Sequence, residues 1–450
     1  MVANLSNAVS GRFADALNAA LGQSVQNPKS AKSPDSKITL ITALSGGPDS
    51  TALALLADDF ARARGHNHHC IVIDHALRPE SGAEAARVAH RMQARGIACK
   101  IAKLAATPPR GSIQNWAREQ RYELLANEAR WVNAVLLFAH HAGDQAETVF
   151  MRLGKGSGLY GLAGMTPVRW HHGIPILRPL LDWSAAELVG ICNEMGCDFE
   201  TDPSNKDHRF ERVRTRRQLA LMQASGIPMD ANLNHLAGLA NRLCQCVDGA
   251  LRQHLNLPSP HPHGYMSFDL ADYEKLPDDL WRRLIARAMT SLAGEAYPPA
   301  SAAFVRLRAS LRAGKAVTLG GCRFVRLGQA GEWGILPEPG RHPAIAMIDA
   351  NVPIVFAKSW RIISPCKGRV RWLGDLPPPP DWIDIKHAVR QSLPVVETLD
   401  GRVLYPQLNT ENKEPYTNGT VSATFLALAN DGKATTMAWH KEYSGQIKPA

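Results

Sequence analysis

A run of small residues at positions 45–50 constrains the fold of this chain more than any other feature. The run consists of Ser45, Gly46, Gly47, Pro48, Asp49 and Ser50. It follows an apolar stretch at 38–44, which predicts a buried strand, and it precedes an apolar helical pattern at 53–56. The glycines permit positive φ angles and close approach of a bound group, and the serines add hydroxyls beside the free N–H groups of a helix N-terminus. A strand, a small-residue turn and a helix start in this order predict a phosphate-binding site.

The carboxylate of Asp49 separates this run from the common phosphate-binding loops. No lysine precedes Ser50, and the run lacks the three spaced glycines of dinucleotide-binding folds. An aspartate would repel phosphate unless a cation lay between them, so the run itself predicts a bound Mg²⁺. The alternative is an ordinary tight turn with a capping aspartate.

Length and charge bound the class of protein. A chain of 450 residues is long enough for two or three domains, each with its own core. Because 45% of the residues are hydrophobic and 20% are charged, the chain is typical of globular proteins. Its formal net charge of +10 favours association with a polyanion, although a basic surface without a partner is the alternative.

The cysteines and the apolar runs exclude several classes of protein. None of the eight cysteines forms a Cys-x-x-Cys pair, so neither a zinc ribbon nor an iron–sulfur site is predicted. No signal peptide and no apolar run of transmembrane length is recognisable in the sequence. We therefore expect a cytoplasmic protein without a membrane partner.

Apolar strands alternate with helices from residue 38 to residue 139. The predicted strands lie at 38–44, 70–73, 97–104 and 134–139, and the predicted helices between them lie at 53–56 and beyond, 80–95 and 112–130. Such alternation predicts an α/β fold, a doubly wound parallel sheet covered by helices on both faces.

Polar clusters follow three of these predicted strands. Positions 45–50 follow the first strand, Asp74 to Arg78 follow the second, and His140 to Asp144 follow the fourth. Because ligands of such sheets bind beyond the carboxyl ends of the strands, we expect the three clusters to converge at one edge.

Two carboxylates three residues apart open the next predicted helix. Asp144 and Glu147 would face the same side of that helix, and with Asp49 they offer the hard oxygen ligands that suit Mg²⁺. Alternatively, Asp144 is the helix N-cap and Glu147 completes a capping pair without any metal.

Two basic segments are candidates for phosphate contact. Lys155 lies in a glycine-rich loop, which is also compatible with a helix C-terminus and its glycine stop. Six basic side chains lie between positions 206 and 217. A solvated helix start would explain this run, but in a basic protein with a nucleotide loop we expect contact with a nucleic-acid backbone at least as readily.

Composition suggests four segments along the chain. We expect an N-terminal helical leader and linker at 1–35, a catalytic domain at 36–225, a mainly helical domain at 226–336 and a small α+β domain at 337–450. The helix predicted from residue 228 has its apolar positions on one face, namely Leu233, Leu236, Leu239, Ala240, Leu243 and Val247. His261 and His263 lie among prolines and are predicted as exposed loop residues rather than metal ligands.

Seven motifs in a fixed order give the chain a specific resemblance. They lie at 45–50, 74–78, 117–122, 140–148, 155–159, 178–181 and 202–205. In this order they resemble the bacterial tRNA(Ile)-lysidine synthetases, which belong to the PP-loop ATP pyrophosphatases and have a Rossmann-like catalytic domain. The resemblance covers residues 36 to 217.

This resemblance implies an activity. The family uses ATP to adenylate C2 of the wobble cytidine of tRNA(Ile) with a CAU anticodon, and the amine of free L-lysine then displaces AMP to form lysidine. The implied enzyme is a ligase that forms a carbon–nitrogen bond, requires ATP and Mg²⁺ and releases AMP and pyrophosphate. The implied role of the regions after residue 217 is to grip the acceptor stem and body of the tRNA, for which a homodimer is a reasonable assembly.

The resemblance also implies roles for individual residues. The implied nucleotide-binding residues are Ser45, Gly46, Gly47, Pro48, Asp49, Ser50, Asp74, His75 and Arg78. Asp49 and Asp144 would hold the metal, and Arg118 would be the first cationic partner of the nucleotide, ahead of Arg78 and Arg121. His140 and Glu147 would contact the cytidine or deprotonate the lysine ammonium. For these side chains a structural ion pair or a cap at the sheet edge is the alternative. The implied tRNA contacts are Lys155, Arg178, Asn205, Arg209, Arg212, Arg214, Arg216 and Arg217.

Two positions depart from the family pattern. Gly143 stands where the first of two successive aspartates is usual, and Val213 follows Arg212 where an asparagine is usual. The alternatives are another PP-loop tRNA-modifying enzyme such as a tRNA thiolase, a small-molecule amidating ligase, and a catalytically impaired tRNA-binding homologue. The absence of a cysteine pair disfavours the thiolase.

Overall fold

The computed structural model divides the chain into two compact units, residues 1–250 and 251–450. The structure describes residues 5–24, 37–74, 81–104, 113–132, 134–171, 174–200, 211–254, 258–261, 263–293, 299–328, 331–341, 345–352, 354–357, 359–406, 422–428 and 434–437. The finer borders expected at residues 35, 225 and 336 remain predictions.

A six-stranded sheet forms the centre of the first unit. Its strands are β1 (Thr39–Leu44), β2 (Asn67–Asp74), β3 (Ala98–Lys103), β4 (Val135–Leu137), β5 (Val168–His171) and β6 (Ile174–Leu177). Their order is β3-β2-β1-β4-β6-β5, and Thr42 of β1 pairs with Cys70 of β2 and with Leu137 of β4. All neighbours are parallel except β5 and β6, an antiparallel edge pair that the sequence did not indicate.

Helices cover this sheet on both faces. The helices that the structure describes in the first unit, some of which pack on other helices, are α1 (Asn7–Ser24), α2 (Pro48–Arg64), α3 (Ser81–Gln93), α4 (Ile113–Trp131), α5 (Ala142–Gly154), α6 (Leu159–Leu162), α7 (Ala185–Glu194), α8 (Glu211–Ala224) and α9 (Met229–His254). Leu40 packs in a cluster with α1, α2 and α7, whereas its neighbour Ile41 packs in a different cluster with α4. Because successive strand residues point to opposite faces, this alternation confirms the doubly wound α/β prediction.

Local sequence signals fix the ends of the helices that support the site. Helix α2 has Pro48 at its start and ends at Gly65, whose φ of 67° is the left-handed conformation that glycine favours. Helix α7 begins with a capping box in which Ser184 and Glu187 bond reciprocally. The leader helix α1 packs firmly, since Phe13 and Leu17 are buried in the core shared with α2.

Helix α9 buries only part of the face that the sequence predicts. Leu233 and Ala240 of that face are buried, whereas Leu239 and Leu243 are exposed. Ala237 and Cys244, outside the predicted face, are buried as well, and the buried side chains pack against α5, α6 and α8. The small side chains of Ala237 and Cys244 allow close approach of the neighbouring helices.

The second unit contains three sheets of antiparallel strands. Its strands are β7 (Ser259–His261), β8 (Tyr265–Asp269), β9 (Val317–Leu319), β10 (Cys322–Arg326), β11 (Glu332–Pro337), β12 (Ala346–Ile348), β13 (Ile354–Phe356), β14 (Trp360–Ile363), β15 (Gly368–Trp372), β16 (Pro394–Thr398), β17 (Val403–Leu404), β18 (Ser422–Leu428) and β19 (Ala434–Met437). They are ordered β7-β8-β11-β10-β9, β12-β15-β16-β17 and β13-β14-β18-β19. The helices are α10 (Leu270–Glu274), α11 (Asp278–Ala293), α12 (Ser301–Arg312) and α13 (His387–Arg390).

The sequence indicated only part of this second unit. Strands β9 and β10 form an antiparallel hairpin that turns at Gly320 and Gly321, residues typical of such turns. His261, however, lies on β7 and stacks on Tyr265 with ring centroids 4.3 Å apart, and His263 is also half-buried, so neither is an exposed loop residue. Among the helices that the structure describes, none is both long and apolar enough to cross a membrane.

Candidate active site at the carboxyl edge of the sheet

The loop after β1 is closed by the side chain of Ser50. Ser50 Oγ accepts a hydrogen bond from the Ser45 N–H at 3.1 Å and donates one to the Gly47 carbonyl at 3.1 Å. Gly47 is the N-cap of α2 in extended conformation, and no described side chain caps this helix end. The first N–H groups of α2 therefore point towards the carboxyl edge of the sheet without a side-chain acceptor, as an anion site requires.

Gly46 fits a position where a side chain would collide. Its φ is +87°, and a Cβ there would lie 2.5 Å from Val88 Cγ2 on α3. The Glu200 N–H donates to the Gly46 carbonyl at 2.8 Å, and the Glu200 carboxylate pairs with Arg91 at 3.0 Å. The loop is thus held from behind by α3 and by the segment after α7.

Two of the three predicted polar clusters meet at one imidazole. Nε2 of His141 lies 3.7 Å from Oδ2 of Asp49 and 3.7 Å from Oδ2 of Asp144. This contact joins the loop after β1 to the start of α5, which follows the neighbouring strand β4. The structure thus brings two of the three clusters together, and the residue between them is His141, to which the sequence analysis gave no role.

Asp74, in the remaining cluster, contacts a different element. It is buried at the end of β2 and accepts a hydrogen bond from Ser81 Oγ at 2.6 Å, at the start of α3. Its neighbours His75 and Arg78, and likewise Asn205 and Arg209, lie outside the described residues. Arg118 lies on α4, but its side chain is also outside the described part of the chain.

Helix α5 begins one turn earlier than the capping alternative supposed. His141 is the N-cap, its Nδ1 accepts from the Gly143 N–H at 3.0 Å, and its own N–H donates to Asp144 Oδ2 at 3.2 Å. Asp144 is therefore the third helical residue and not the N-cap, so the alternative that paired it with Glu147 is wrong.

Glu147 is a buried carboxylate with one partner. Its side chain is only 4% exposed, and Oε1 accepts from Arg216 Nε of α8 at 2.7 Å. The second oxygen, Oε2, is buried and has no hydrogen-bond partner among the described residues. A buried carboxylate oxygen without a donor is costly, which favours a ligand group there in the working enzyme.

Burial and crowding of like charges perturb these acids. Burial raises the pKa of Asp49, and the charge of Asp144 raises it further, whereas His141 and Arg216 lower it. Burial likewise raises the pKa of Glu147, against the opposing hydrogen bond from Arg216. Acids held close together with raised pKa values favour binding of a cation.

The donor set fits Mg²⁺ better than a transition metal. Mg²⁺ is usually bound through one or two carboxylates together with substrate phosphates and water, and Asp49 and Asp144 lie beside the loop expected to hold phosphate. The described residues contain no group of three or more His, Cys, Asp or Glu side chains arranged to hold a metal ion.

His140 is fixed by a buried arginine. Arg178 Nε donates to His140 Nδ1 at 3.3 Å, and its Nη1 donates to the Thr166 carbonyl at 2.9 Å. The His140 ring stacks on Phe138. Because the Arg178 residue is only 4% exposed, little of its surface is open to the predicted tRNA contact, and its hydrogen bond restrains the His140 ring.

The other predicted basic contacts that the structure describes lie on helix α8 or beside it. Lys155 is the C-cap of α5, as its alternative interpretation supposed, and it pairs with Glu211 at 2.7 Å. On α8, Thr215 and Leu219 are buried against the helix layer while Arg214, Arg216 and Arg217 are exposed and Arg212 is half-buried. The helix thus presents a basic face next to Glu147.

The site lies within a segment that matches a known domain. The PP-loop domain model matches residues 17–223, which contain every residue described above. The tRNA(Ile)-lysidine synthase of Methylobacterium nodulans is 39% identical over 316 residues, covering 67% of this chain and 91% of that protein. This chain belongs to the tRNA(Ile)-lysidine synthase family. The synthase of Novosphingobium aromaticivorans is 40% identical over 305 residues, covering 65% of this chain and 87% of that protein. Both alignments are longer than the motif segment from 36 to 217, so the family likeness continues beyond it.

The chain is also weakly similar to a solved structure. The U34-tRNA thiolase NcsA from Methanococcus maripaludis has a TM-score of 0.41 at 13% identity, covering 52% of this chain and 81% of that one. With this low score it carries no conclusion about the activity of this synthase family member.

His141 is the site residue that sequence reasoning missed. Serine, threonine, aspartate and asparagine are the usual N-caps, so the sequence favours Asp144 over His141 as the N-cap of α5. The available signal was a histidine two residues before a glycine, at the point where a buried strand gives way to a helix.

Proposed function

We propose that this protein uses ATP to attach free L-lysine to C2 of the wobble cytidine of tRNA(Ile) with a CAU anticodon. The reaction forms a carbon–nitrogen bond and releases AMP and pyrophosphate. The observation that carries the proposal is the joining of the 45–50 loop to Asp144 through His141, in a chain that belongs to the lysidine synthase family. ATP use follows from the PP-loop domain.

The first step is adenylation of the cytidine. Oxygen at C2 is a poor leaving group, and its attack on the α-phosphate of ATP turns it into a good one while pyrophosphate departs. The N–H groups at the start of α2, with the loop from Ser45 to Ser50, are placed to receive the pyrophosphate. We assign Arg118 to the nucleotide or the transition state, with Asp74, His75 and Arg78 near the nucleotide.

Asp49 and Asp144 are the residues that would hold Mg²⁺. The bound ion would neutralise charge that develops on the leaving pyrophosphate. Both carboxylates lie within 3.7 Å of His141 Nε2, so a single imidazole links the loop to α5.

The second step requires a lysine amine that has lost its proton. Glu147 is the better acceptor, because its pKa is raised by burial and its Oε2 has no partner among the described residues. His140 receives a hydrogen bond at Nδ1 from Arg178, so its neutral ring carries a proton on Nε2 and acts as a donor there. We therefore assign His140 to contact with the cytidine and Glu147 to activation of lysine.

The basic residues are assigned to the RNA. We propose that phosphates are contacted by Lys155, Asn205, Arg209, Arg212, Arg214 and Arg217. Arg216 would both contact the RNA and hold its ion pair with Glu147. The second unit is proposed to hold the acceptor stem and body of the tRNA, and the assembly is proposed to be a homodimer. Because ATP, lysine and tRNA occur together in the cytoplasm, we place the reaction there.

Incorporation of radiolabelled lysine tests this proposal. The substrates are transcripts of tRNA(Ile) with a CAU anticodon, with and without ATP and Mg²⁺, and the decoys are initiator and elongator tRNA(Met). We expect ATP-dependent labelling of the isoleucine transcript alone. Cleavage of ATP to AMP and pyrophosphate without lysine incorporation would contradict the choice of nucleophile. Binding of tRNA without any ATP cleavage would instead indicate a catalytically impaired homologue.

A further inference from the structure

His141 has two ring nitrogens with different partners. Nδ1 accepts from the Gly143 N–H at 3.0 Å, so in the neutral ring the proton lies on Nε2. Nε2 in turn faces one oxygen of Asp49 and one of Asp144 at 3.7 Å. The backbone of α5 thereby selects the tautomer whose Nε2–H group faces both carboxylates, at a distance longer than a hydrogen bond.

Gly143 provides the space that this arrangement needs. A Cβ at position 143 would lie 2.8 Å from His141 Cε1 and 3.2 Å from His141 Nδ1. Any larger residue would therefore push the ring away from its cap position. Gly143 has no positive φ, so the requirement for glycine is the approach of the imidazole and not the backbone conformation.

We propose that His141 is a positioning residue that holds Asp49 and Asp144 in place for Mg²⁺, and that Gly143 is what allows it to do so. The inference rests on the proposed function, because it takes these two carboxylates as the metal-holding pair. His141 does not bind the ion itself, because Nε2 carries the proton and the lone pair of Nδ1 accepts the Gly143 N–H. It restrains one carboxylate on the loop and one on α5, which otherwise repel each other.

The test separates helix capping from carboxylate positioning. Asparagine is among the best N-caps, so His141→Asn keeps the start of α5 but removes the Nε2 donor. Gly143→Ala keeps the histidine and adds a better helix former, but its Cβ displaces the ring. Mg²⁺ is titrated by calorimetry into each protein saturated with an ATP analogue that has a methylene between the α- and β-phosphates, so no turnover is needed.

We expect His141→Asn and Gly143→Ala each to raise the Mg²⁺ concentration for half-saturation by about tenfold or more. The double variant should show no further loss, because without the imidazole the alanine has nothing to displace. The melting temperature of His141→Asn is expected to change little, because asparagine also caps the helix. The same result is expected if His141 is only a helix cap, so the Mg²⁺ affinity is the deciding measurement.

Two results with the variants, and one with the parent protein, would overturn the inference. One is Mg²⁺ affinity within twofold of the parent protein in both single variants, and the other is additive losses in the double variant. A parent protein that binds no Mg²⁺ with the analogue would overturn it as well. If the variants behave as expected but the parent incorporates no lysine into tRNA, the positioning role stands and the proposed function fails.

Discussion

Arg216 and Glu147 form an ion pair between α8 and α5, with Arg216 Nε donating to Glu147 Oε1 at 2.7 Å. The two partners differ in exposure, since the Glu147 side chain is 4% exposed and that of Arg216 is 54% exposed. The pair therefore connects a buried acid of the site to the basic face of the next helix.

The first prediction concerns the cost of keeping Glu147 charged. Burial raises its pKa in the folded protein, so ionising it costs stability, and this cost is absent below the pKa of the unfolded chain and appears as the pH rises. Glu147→Gln removes the charge and should melt at the same or a higher temperature than the parent at about pH 7, with a smaller gain at about pH 4. Lysine incorporation should fall by about 10²-fold or more. A lower melting temperature with activity retained would instead indicate a structural ion pair.

The second prediction separates adenylation from RNA binding. Asp49→Ala is expected to abolish tRNA-dependent exchange of pyrophosphate into ATP, because the loop loses a carboxylate assigned to the metal. Affinity for tRNA, measured by filter binding, should remain close to that of the parent. Loss of tRNA binding with adenylation retained would contradict the assignment of Asp49.

The third prediction compares two glycines with positive φ. Gly65→Ala has nothing within 4 Å of the new Cβ and should cost only the left-handed strain, about 1 kcal/mol of unfolding free energy. Gly46→Ala adds a contact of 2.5 Å with Val88 Cγ2 and should cost more. Adding Val88→Ala to Gly46→Ala should recover the extra loss of unfolding free energy, measured by urea unfolding. Equal losses in Gly46→Ala and Gly65→Ala would contradict the predicted clash between position 46 and Val88.

The fourth prediction concerns the exposed arginines of α8. Arg214→Glu and Arg217→Glu should weaken tRNA binding and reduce the slope of its logarithmic salt dependence, by about one for each phosphate that the variant no longer neutralises. Arg214→Lys and Arg217→Lys keep the charge and should keep the slope. Arg216 is left unchanged in this comparison, because its removal would also leave the buried Glu147 carboxylate without its cation. An unchanged slope in the glutamate variants would indicate that these arginines are only solvated and do not contact the tRNA.

The fold of the first unit was accessible from sequence because its signals are local. The apolar strand at 38–44, the glycines at 46 and 47 and the helix after Pro48 each follow from backbone chemistry within a few residues. Convergence of the loop after β1 with the start of α5 then follows from a parallel sheet.

The remainder depended on contacts between distant residues. Pairing of Arg216 with Glu147, burial of Arg178 against His140 and the choice of face on α9 arise from packing of helices that have no fixed spacing in sequence. Leu239 illustrates the limit, because its hydrophobicity predicted burial, whereas the smaller Ala237 and Cys244 take buried positions instead. The role of His141 also needed the Gly143 N–H, which only the folded helix brings to its ring.

The packing of α1 has a consequence for dissecting the protein into parts. Phe13 and Leu17 cover apolar side chains of α2, although they precede the motif segment that begins near residue 36. A fragment trimmed to begin at the motifs would present that apolar surface to water and lose part of its core. The shortest autonomous catalytic fragment must therefore include α1, even though no motif residue lies in it.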